Sequence, residues 1–290
     1  MTVADAIREA TTRLAAVSDT ARLDAELLMA HALECSRSDM LLRAMNAAVP
    51  SHYGTLVDRR AAHEPVAYIT GQAEFYGLEL QVSPDVLIPR GDSETLIDAA
   101  RDAFANRAAP SRIIDLGTGS GALLLAALSL WPQAQGVGFD ASMAALKVAD
   151  CNARKLGKAE RCTFVRRSWR KGDWQRGLDR FDLVLCNPPY VEDAAELAPQ
   201  VRDHEPKSAL FSGPEGLDDY RILLPQVADL LTATGIAIFE IGATQQYAVA
   251  AIARNQGLAV DFREDLAGIA RAITVSKENL QGVGKAPDSL

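Results

Sequence analysis

Asn187, Pro188, Pro189 and Tyr190 follow directly on the apolar run Phe181-Asp182-Leu183-Val184-Leu185-Cys186. Such a run, bounded by turn residues, reads as a buried parallel strand. Successive prolines forbid a helix and remove the N–H groups that further ladder pairing needs, so the chain leaves the sheet extended. The Asn187 side chain and the Pro188 carbonyl each present an oxygen, proline having an acceptor and no donor. Tyr190 adds a flat aromatic face. Oxygens and ring suit a planar NH2 group, with Asn187, Pro188, Pro189 and Tyr190 holding it and Asn187, Pro188 and Tyr190 carrying the chemistry. The bland alternative is an ordinary strand end turned by Pro-Pro.

A second chemistry-bearing group lies upstream. Residues 112–116 read as a strand, Gly117-Thr118-Gly119-Ser120-Gly121 as a tight turn and 122–129 as a helix. Glycine lets a backbone approach a ligand closely while turning from strand to helix. The next strand, 136–139, ends in Asp140, about 20 residues beyond the turn, where a carboxylate can take two ribose hydroxyls. Turn and acid together predict a nucleoside-binding α/β sheet. Trp169, just past a short strand at 163–166, is placed to lie along a purine. The cations flanking it in Arg166-Arg167-Ser168-Trp169-Arg170-Lys171 read as a solvated loop.

A glycine turn with an acid after the second strand serves both dinucleotide dehydrogenases and methyltransferases that use S-adenosylmethionine. The strand-end residues separate them, because hydride transfer has no use for Asn-Pro-Pro-Tyr. A planar nitrogen is a poor nucleophile, its lone pair being delocalised. Hydrogen bonds from both of its N–H groups to Asn187 and the Pro188 carbonyl would fix its plane and raise its electron density.

The elements that must position these residues follow from composition and period. The chain of 290 residues is 48% hydrophobic and 23% charged, as a packed globular protein is. Residues 1–70 read as several short helices, with apolar Leu23, Leu27 and Ala30 at helical spacing and breaks at Ser18-Asp19-Thr20, Ser36-Arg37-Ser38 and Pro50-Ser51. Leu78, Leu80 and Val82 alternate with Glu79 and Gln81, the period of a half-buried strand in a hairpin. Asp92 or Ser93 is the expected cap of a helix over 93–104, and Arg90 the expected ion-pair partner of Asp92 and Glu94. An acidic, weakly structured loop should follow Tyr190 as a lid or substrate wall. Helices over 217–231 and 245–255, and strands at 235–240, 259–262 and 271–275, complete the sheet.

A net charge of −8 argues against broad affinity for nucleic acid. Cys35, Cys151, Cys162 and Cys186 lie far apart, predicting mostly buried, reduced thiols and no metal; His31, His52 and His63 read as structural. With neither a signal-peptide pattern nor a membrane-length apolar run, a cytoplasmic protein is expected.

Nearly the whole chain resembles the PrmC/HemK family of protein-(glutamine-N5) methyltransferases that modify peptide chain release factors. The resemblance is carried by Arg22-Leu23-Asp24-Ala25-Glu26-Leu27-Leu28, Glu64-Pro65-Val66-Ala67-Tyr68-Ile69-Thr70-Gly71, Glu74-Phe75-Tyr76-Gly77, Leu87-Ile88-Pro89-Arg90, the glycine turn, Asn187 to Tyr190, Glu205-Pro206 and Asp265-Leu266-Ala267-Gly268. It implies a Rossmann-like S-adenosylmethionine-dependent methyltransferase domain, here a seven-stranded mixed sheet, with a small N-terminal helical domain joined by a β-hairpin linker. The implied boundaries are 1–70 for substrate recognition, 71–92 for the hairpin, 93–276 for the methyltransferase and 277–290 for a disordered tail. By the same resemblance Gly117, Thr118, Gly119, Ser120, Gly121, Asp140, Trp169 and Asn187 contact S-adenosyl-L-methionine, and Asn187, Pro188, Pro189 and Tyr190 hold the glutamine of a Gly-Gly-Gln motif. The chain departs from the family at Gly91, where a proline is common, and at Ser168, where an acid is common. Alternatives are an adenine-N6 DNA or RNA methyltransferase and a non-catalytic S-adenosylmethionine-binding protein.

Overall fold

The computed structural model describes residues 1–277, so the expected disordered tail falls, but for its first residue, outside the described residues. They group into two compact units, one of Met1–Gln72, Val82–Pro84 and Leu197–Glu205, the other of Ala73–Gln81, Asp85–Glu196 and Pro206 onward.

The first unit is helical. Helix α1 (Val3–Leu14) opens with a reciprocal cap between Thr2 and Asp5, which satisfies two otherwise orphaned amides. It is followed by α2 (Ala21–Ala32), α3 (Arg37–Asp39), α4 (Tyr53–Ala61) and α5 (Val66–Thr70). Of the expected caps, Ser36 Oγ accepts the Asp39 amide at 3.0 Å. Thr20 makes no such bond. The core gathers Val3, Ile7, Leu14, Ala25, Leu28, Met29, Met40 and Val57. Leu23 and Leu27, expected from their spacing to belong to a buried stripe, stand 41% and 36% exposed. The packed face of α2 runs instead through Ala25, Leu28, Met29 and Ala32. Asp24 is buried on that helix because Arg60 Nε donates to it at 2.7 Å, while Arg60 Nη2 reaches Gln200 Oε1 at 3.1 Å. Removing either charge of such a pair leaves the other buried and uncompensated.

The second unit opens with the predicted hairpin, β1 (Gln72–Phe75) and β2 (Leu78–Gln81). Then come α6 (Glu94–Ala103), β3 (Arg112–Leu116), α7 (Ala122–Leu130), β4 (Gln135–Asp140), α8 (Met143–Lys155), β5 (Cys162–Arg166) and β6 (Phe181–Cys186). After the short α9 (Pro199–Arg202) of the helical unit follow α10 (Asp218–Leu230), β7 (Leu231–Glu240), α11 (Gln246–Asn255), β8 (Ala259–Glu264) and β9 (Ala270–Ser276). The mixed sheet has seven strands in the order β5-β4-β3-β6-β7-β9-β8. Pairs from β5 to β7 are parallel and β9 runs antiparallel to both neighbours. Ile113, Ile114, Leu183, Val184, Leu185, Ile236 and Ile238 are fully buried, as both-face packing of parallel strands requires. Among the described residues no helix is long and apolar enough to cross a membrane.

Some local expectations differ from the structure. Cys35 and Cys151 are exposed rather than buried; of the free thiols only Cys186 is fully enclosed. The segment after Tyr190 is more ordered than its acidic composition suggested, holding α9 and a bridge between Val191 and Phe211. That bridge is closed by the Val191 amide on the Leu210 carbonyl and the Ser212 amide on the Val191 carbonyl, each at 2.9 Å.

Candidate active site

Register brings the two chemistry-bearing groups together. Leu116 pairs with Cys186, so the chain leaves β3 at Gly117 and β6 at Asn187 on the same level. Strand order reverses here, with β4 and β5 on one side of β3 and β6 onward on the other. Open α/β sheets form a ligand crevice at the C-terminal strand ends of such a point.

The glycine turn is built from backbone. Gly117, Gly119 and Gly121 have φ of +78°, +53° and +85°, the left-handed region that side chains rarely adopt. A Cβ on Gly117 would come within 2.9 Å of the Trp169 ring and 4.0 Å of the Asn187 carbonyl oxygen. The Gly119 amide donates to Asp140 Oδ2 at 3.0 Å, and the Ser142 amide to Oδ1 at 2.8 Å. Each carboxylate oxygen keeps a further lone pair for a guest hydroxyl. Burial raises the Asp140 pKa, and these amides oppose that rise.

Thr118 and Ser120 are buried in the turn, 5% and 3% exposed. Thr118 Oγ1 donates to Asp115 Oδ2 at 2.7 Å. Asp115 was not singled out by sequence reasoning, although it lies two residues before Gly117. Its Oδ1 has no hydrogen-bond partner. Burial pushes its carboxyl up to about 7, with the Thr118 hydroxyl and the Leu124 amide opposing.

Trp169 lies parallel to Phe139, ring centroids 5.8 Å apart at 12°. Its Nε1 donates to Asp219 Oδ1 at 2.6 Å. Burial would raise the Asp219 pKa, but bonds from Arg170, Trp169 and Ser212 hold it below the ordinary value. Of the cations flanking Trp169, Arg166, Arg170 and Lys171 are exposed, as a solvated loop requires, but Arg167 and Arg170 are also tied down. Arg170 Nη2 pairs with the fully buried Asp219 at 2.7 Å, and Arg167 Nη1 donates to the carbonyls of Trp174 and Arg176 at 2.7 and 2.8 Å. Asp219 sits 50 residues from Trp169, so no local pattern could have found it.

Pro188 and Pro189 are buried at the end of β6, with Asn187 and Tyr190 half-buried. Asn187 Nδ2 donates to Ser93 Oγ at 3.1 Å, Ser93 Oγ donates to Glu240 Oε2 at 2.5 Å, and the Tyr190 hydroxyl donates to Glu240 Oε1 at 3.1 Å. Gln245 Nε2 holds the Tyr190 carbonyl at 3.0 Å. Burial raises the Glu240 pKa against these two hydroxyls; burial and the neighbouring Glu240 charge raise that of Tyr190.

Ser93 thus does not cap α6, as expected, because its hydroxyl is engaged across the sheet edge; a single 3-10 turn, Gly91–Ser93, leads into the helix instead. Of the acids expected to pair locally with Arg90, Asp92 reaches Arg271 at 3.1 Å and Glu94 takes the Tyr76 amide at 2.7 Å. Among the described residues no cluster of His, Cys, Asp and Glu is arranged to hold a metal ion.

The donor set discriminates between guests. Carboxylates border the turn, at Asp115 and Asp140, and a third, Glu240, lies behind the Asn187 cradle. Such a set suits a nucleoside carrying positive charge and disfavours a pyrophosphate.

Comparison with known proteins bears on the family and the fold. The family described as the PrmC N-terminal domain matches residues 5–71, and that described as a methyltransferase domain matches residues 109–253. The release factor glutamine methyltransferase of Bradyrhizobium diazoefficiens is 40% identical over 268 residues, 89% of each chain. That of Moorella thermoacetica is 42% identical over 266 residues, 89% of this chain and 91% of the relative. Among solved structures, the hMettl16 catalytic domain in complex with MAT2A 3'UTR hairpin 6 superimposes with a TM-score of 0.56 at 16% identity, over 78% of this chain and 84% of that one. The human methyltransferase 10 domain containing protein gives 0.52 at 16% identity, over 70% and 90%. At such identities the structural likeness speaks for the fold alone.

Proposed function

This chain belongs to the release factor glutamine methyltransferase family, and from that membership we infer its activity. It transfers a methyl group from S-adenosyl-L-methionine to the side-chain amide nitrogen (N5) of the glutamine in the Gly-Gly-Gln motif of peptide chain release factors. The observation that carries the assignment of residues is the level pairing of the β3 and β6 ends, which sets an acid-bordered glycine turn beside the Asn187 oxygens.

We assign cofactor binding to the backbone of Gly117, Thr118, Gly119, Ser120 and Gly121, the Asp140 carboxylate, Trp169 and the Asn187 carbonyl. S-adenosylmethionine supplies, when bound, an electrophilic methyl group on a sulfonium. The chain's own residues do the rest. Asn187 Oδ1 and the Pro188 carbonyl take the two N–H groups of the glutamine amide and hold its plane, Pro189 stiffens the backbone behind them, and Tyr190 covers the amide and excludes water. Fixing the lone pair's direction makes the encounter effectively intramolecular. The alkylated nitrogen is acidic and loses its proton without a dedicated base. A cytoplasmic location belongs to the same proposal.

The test follows label from methyl-labelled cofactor. We expect it on release factor, and lost when the motif glutamine is replaced by alanine. The alternative acceptor is nucleic acid, an exocyclic adenine amine being another planar NH2 group. A net charge of −8 disfavours it, and label on nucleic acid alone would sink the protein reading.

A further inference from the structure

The hydrogen bonds behind Asn187 run in one direction. Glu240 is fully buried and presents both carboxylate oxygens to hydroxyls, Oε2 to Ser93 at 2.5 Å and Oε1 to Tyr190 at 3.1 Å. A carboxylate is an acceptor only, so each hydroxyl must spend its single proton on it. With that proton committed, Ser93 Oγ can only accept from its other neighbour, 3.1 Å away at the Asn187 amide. The end of the amide that faces Ser93 is therefore NH2, and the end that faces away is the carbonyl oxygen. Were the amide turned over, two acceptors would confront each other within a buried site, leaving both unsatisfied.

We propose that Ser93 and Glu240 are positioning residues that set the orientation of the Asn187 amide, so that Oδ1 rather than NH2 is offered to the acceptor nitrogen. This deepens the reading given above and rests on it. Orientation matters because an amide of undetermined sense would present a donor to a donor for part of the time, and the planar NH2 of the guest would lose its acceptor. Glu240 also takes the Tyr190 hydroxyl, so a single carboxylate ties together the polar and the aromatic members of the cradle. Tyr220, whose hydroxyl donates to the Glu240 backbone carbonyl at 2.6 Å, holds the strand end that carries it.

The experiment compares Ser93→Ala, Ser93→Thr and Glu240→Gln with the parent enzyme, using release factor and methyl-labelled cofactor. Ser93→Ala should lower kcat roughly 10- to 100-fold while leaving the cofactor Kd within about twofold. Ser93→Thr, which keeps the hydroxyl, should recover the parent kcat to within about threefold. Glu240→Gln offers one acceptor where two hydroxyls need one each, and should lose turnover like Ser93→Ala. A Ser93→Ala enzyme with the parent kcat overturns the proposal. So does a loss shared equally by the Ala and Thr variants.

A second measurement needs no substrate. In protein with isotope-labelled asparagine side chains, the Asn187 NH2 resonances, assigned by their absence in Asn187→Ser, should shift and exchange faster in Ser93→Ala and return in Ser93→Thr. Unchanged resonances overturn the proposal. A parent enzyme that methylates no release factor defeats the functional reading instead, and leaves the resonances to decide the orientation.

Discussion

The glycine turn and the Asn187 cradle face each other across the same sheet edge, yet they are held by different means. The turn is stabilised by its own backbone and by a neighbour one strand away. Gly117 and Thr118 amides bond the Phe139 carbonyl at 2.8 and 2.9 Å, and Gly119 bonds Asp140 at 3.0 Å. The cradle is held by side chains from distant stretches, with Ser93, Glu240 and Gln245 all reaching toward Asn187 or Tyr190. A backbone-built site tolerates exchange of its side chains but not of its glycines. A site built from side-chain hydrogen bonds is sensitive to single donors and acceptors.

That contrast predicts where each substitution should register. Asn187→Ala should have the largest effect, a fall in kcat of roughly 100-fold with little change in cofactor affinity, because the proposed function makes its Oδ1 the acceptor for the reacting nitrogen. A loss appearing in cofactor Kd instead would move Asn187 to the other side of the comparison. Asp140→Asn leaves one oxygen for two backbone amides and removes the charge offered to the guest. Titration calorimetry should show cofactor binding weaker by roughly 10- to 30-fold, with kcat at saturation nearly unchanged.

Gly117→Ala places a methyl 2.9 Å from Trp169 at a φ of +78°. Affinity should fall about five- to tenfold as the ring shifts, a displacement visible in tryptophan fluorescence. Parent-like affinity and fluorescence would show that the turn tolerates a Cβ.

The last effect concerns stability and not activity. Asp115 in the folded chain titrates at about 7, against 3.8 for the free group. Between those values the folded state binds more protons than the unfolded one, so the contribution of Asp115 is complete below 3.8 and is lost as pH rises through about 7. Asp115→Asn removes that loss. Its Tm relative to the parent should rise with pH across this window. A pH-independent difference would place the Asp115 carboxyl outside the titrating set.

Much of the fold was legible because its signals are local. Alternation at Leu78, Leu80 and Val82 marked the hairpin, and the apolar run before Asn187 marked β6. Where interpretation failed, a distant partner had overridden a local preference. Ser93 looked like a helix cap until Glu240 claimed its proton. Arg170 is solvated, its side chain 51% exposed, but nothing in the sequence signalled that it also pairs with the buried Asp219. Leu23 and Leu27 share the helical spacing of a packed stripe, but which face of α2 is buried depends on where α1 lies.

The order of residue types along the chain thus determined the strand ends, the glycine turn, the acid at Asp140 and the oxygens of Asn187 and Pro188, since each is a property of consecutive residues and their period. Only the tertiary structure decided how those parts are fastened. The bonds that orient Asn187 span 94 and 147 residues of sequence. Residues so far apart carry no mutual pattern; the pairing of β6 with β7 brings Asn187 and Glu240 to the C-terminal strand ends, where Ser93 meets both.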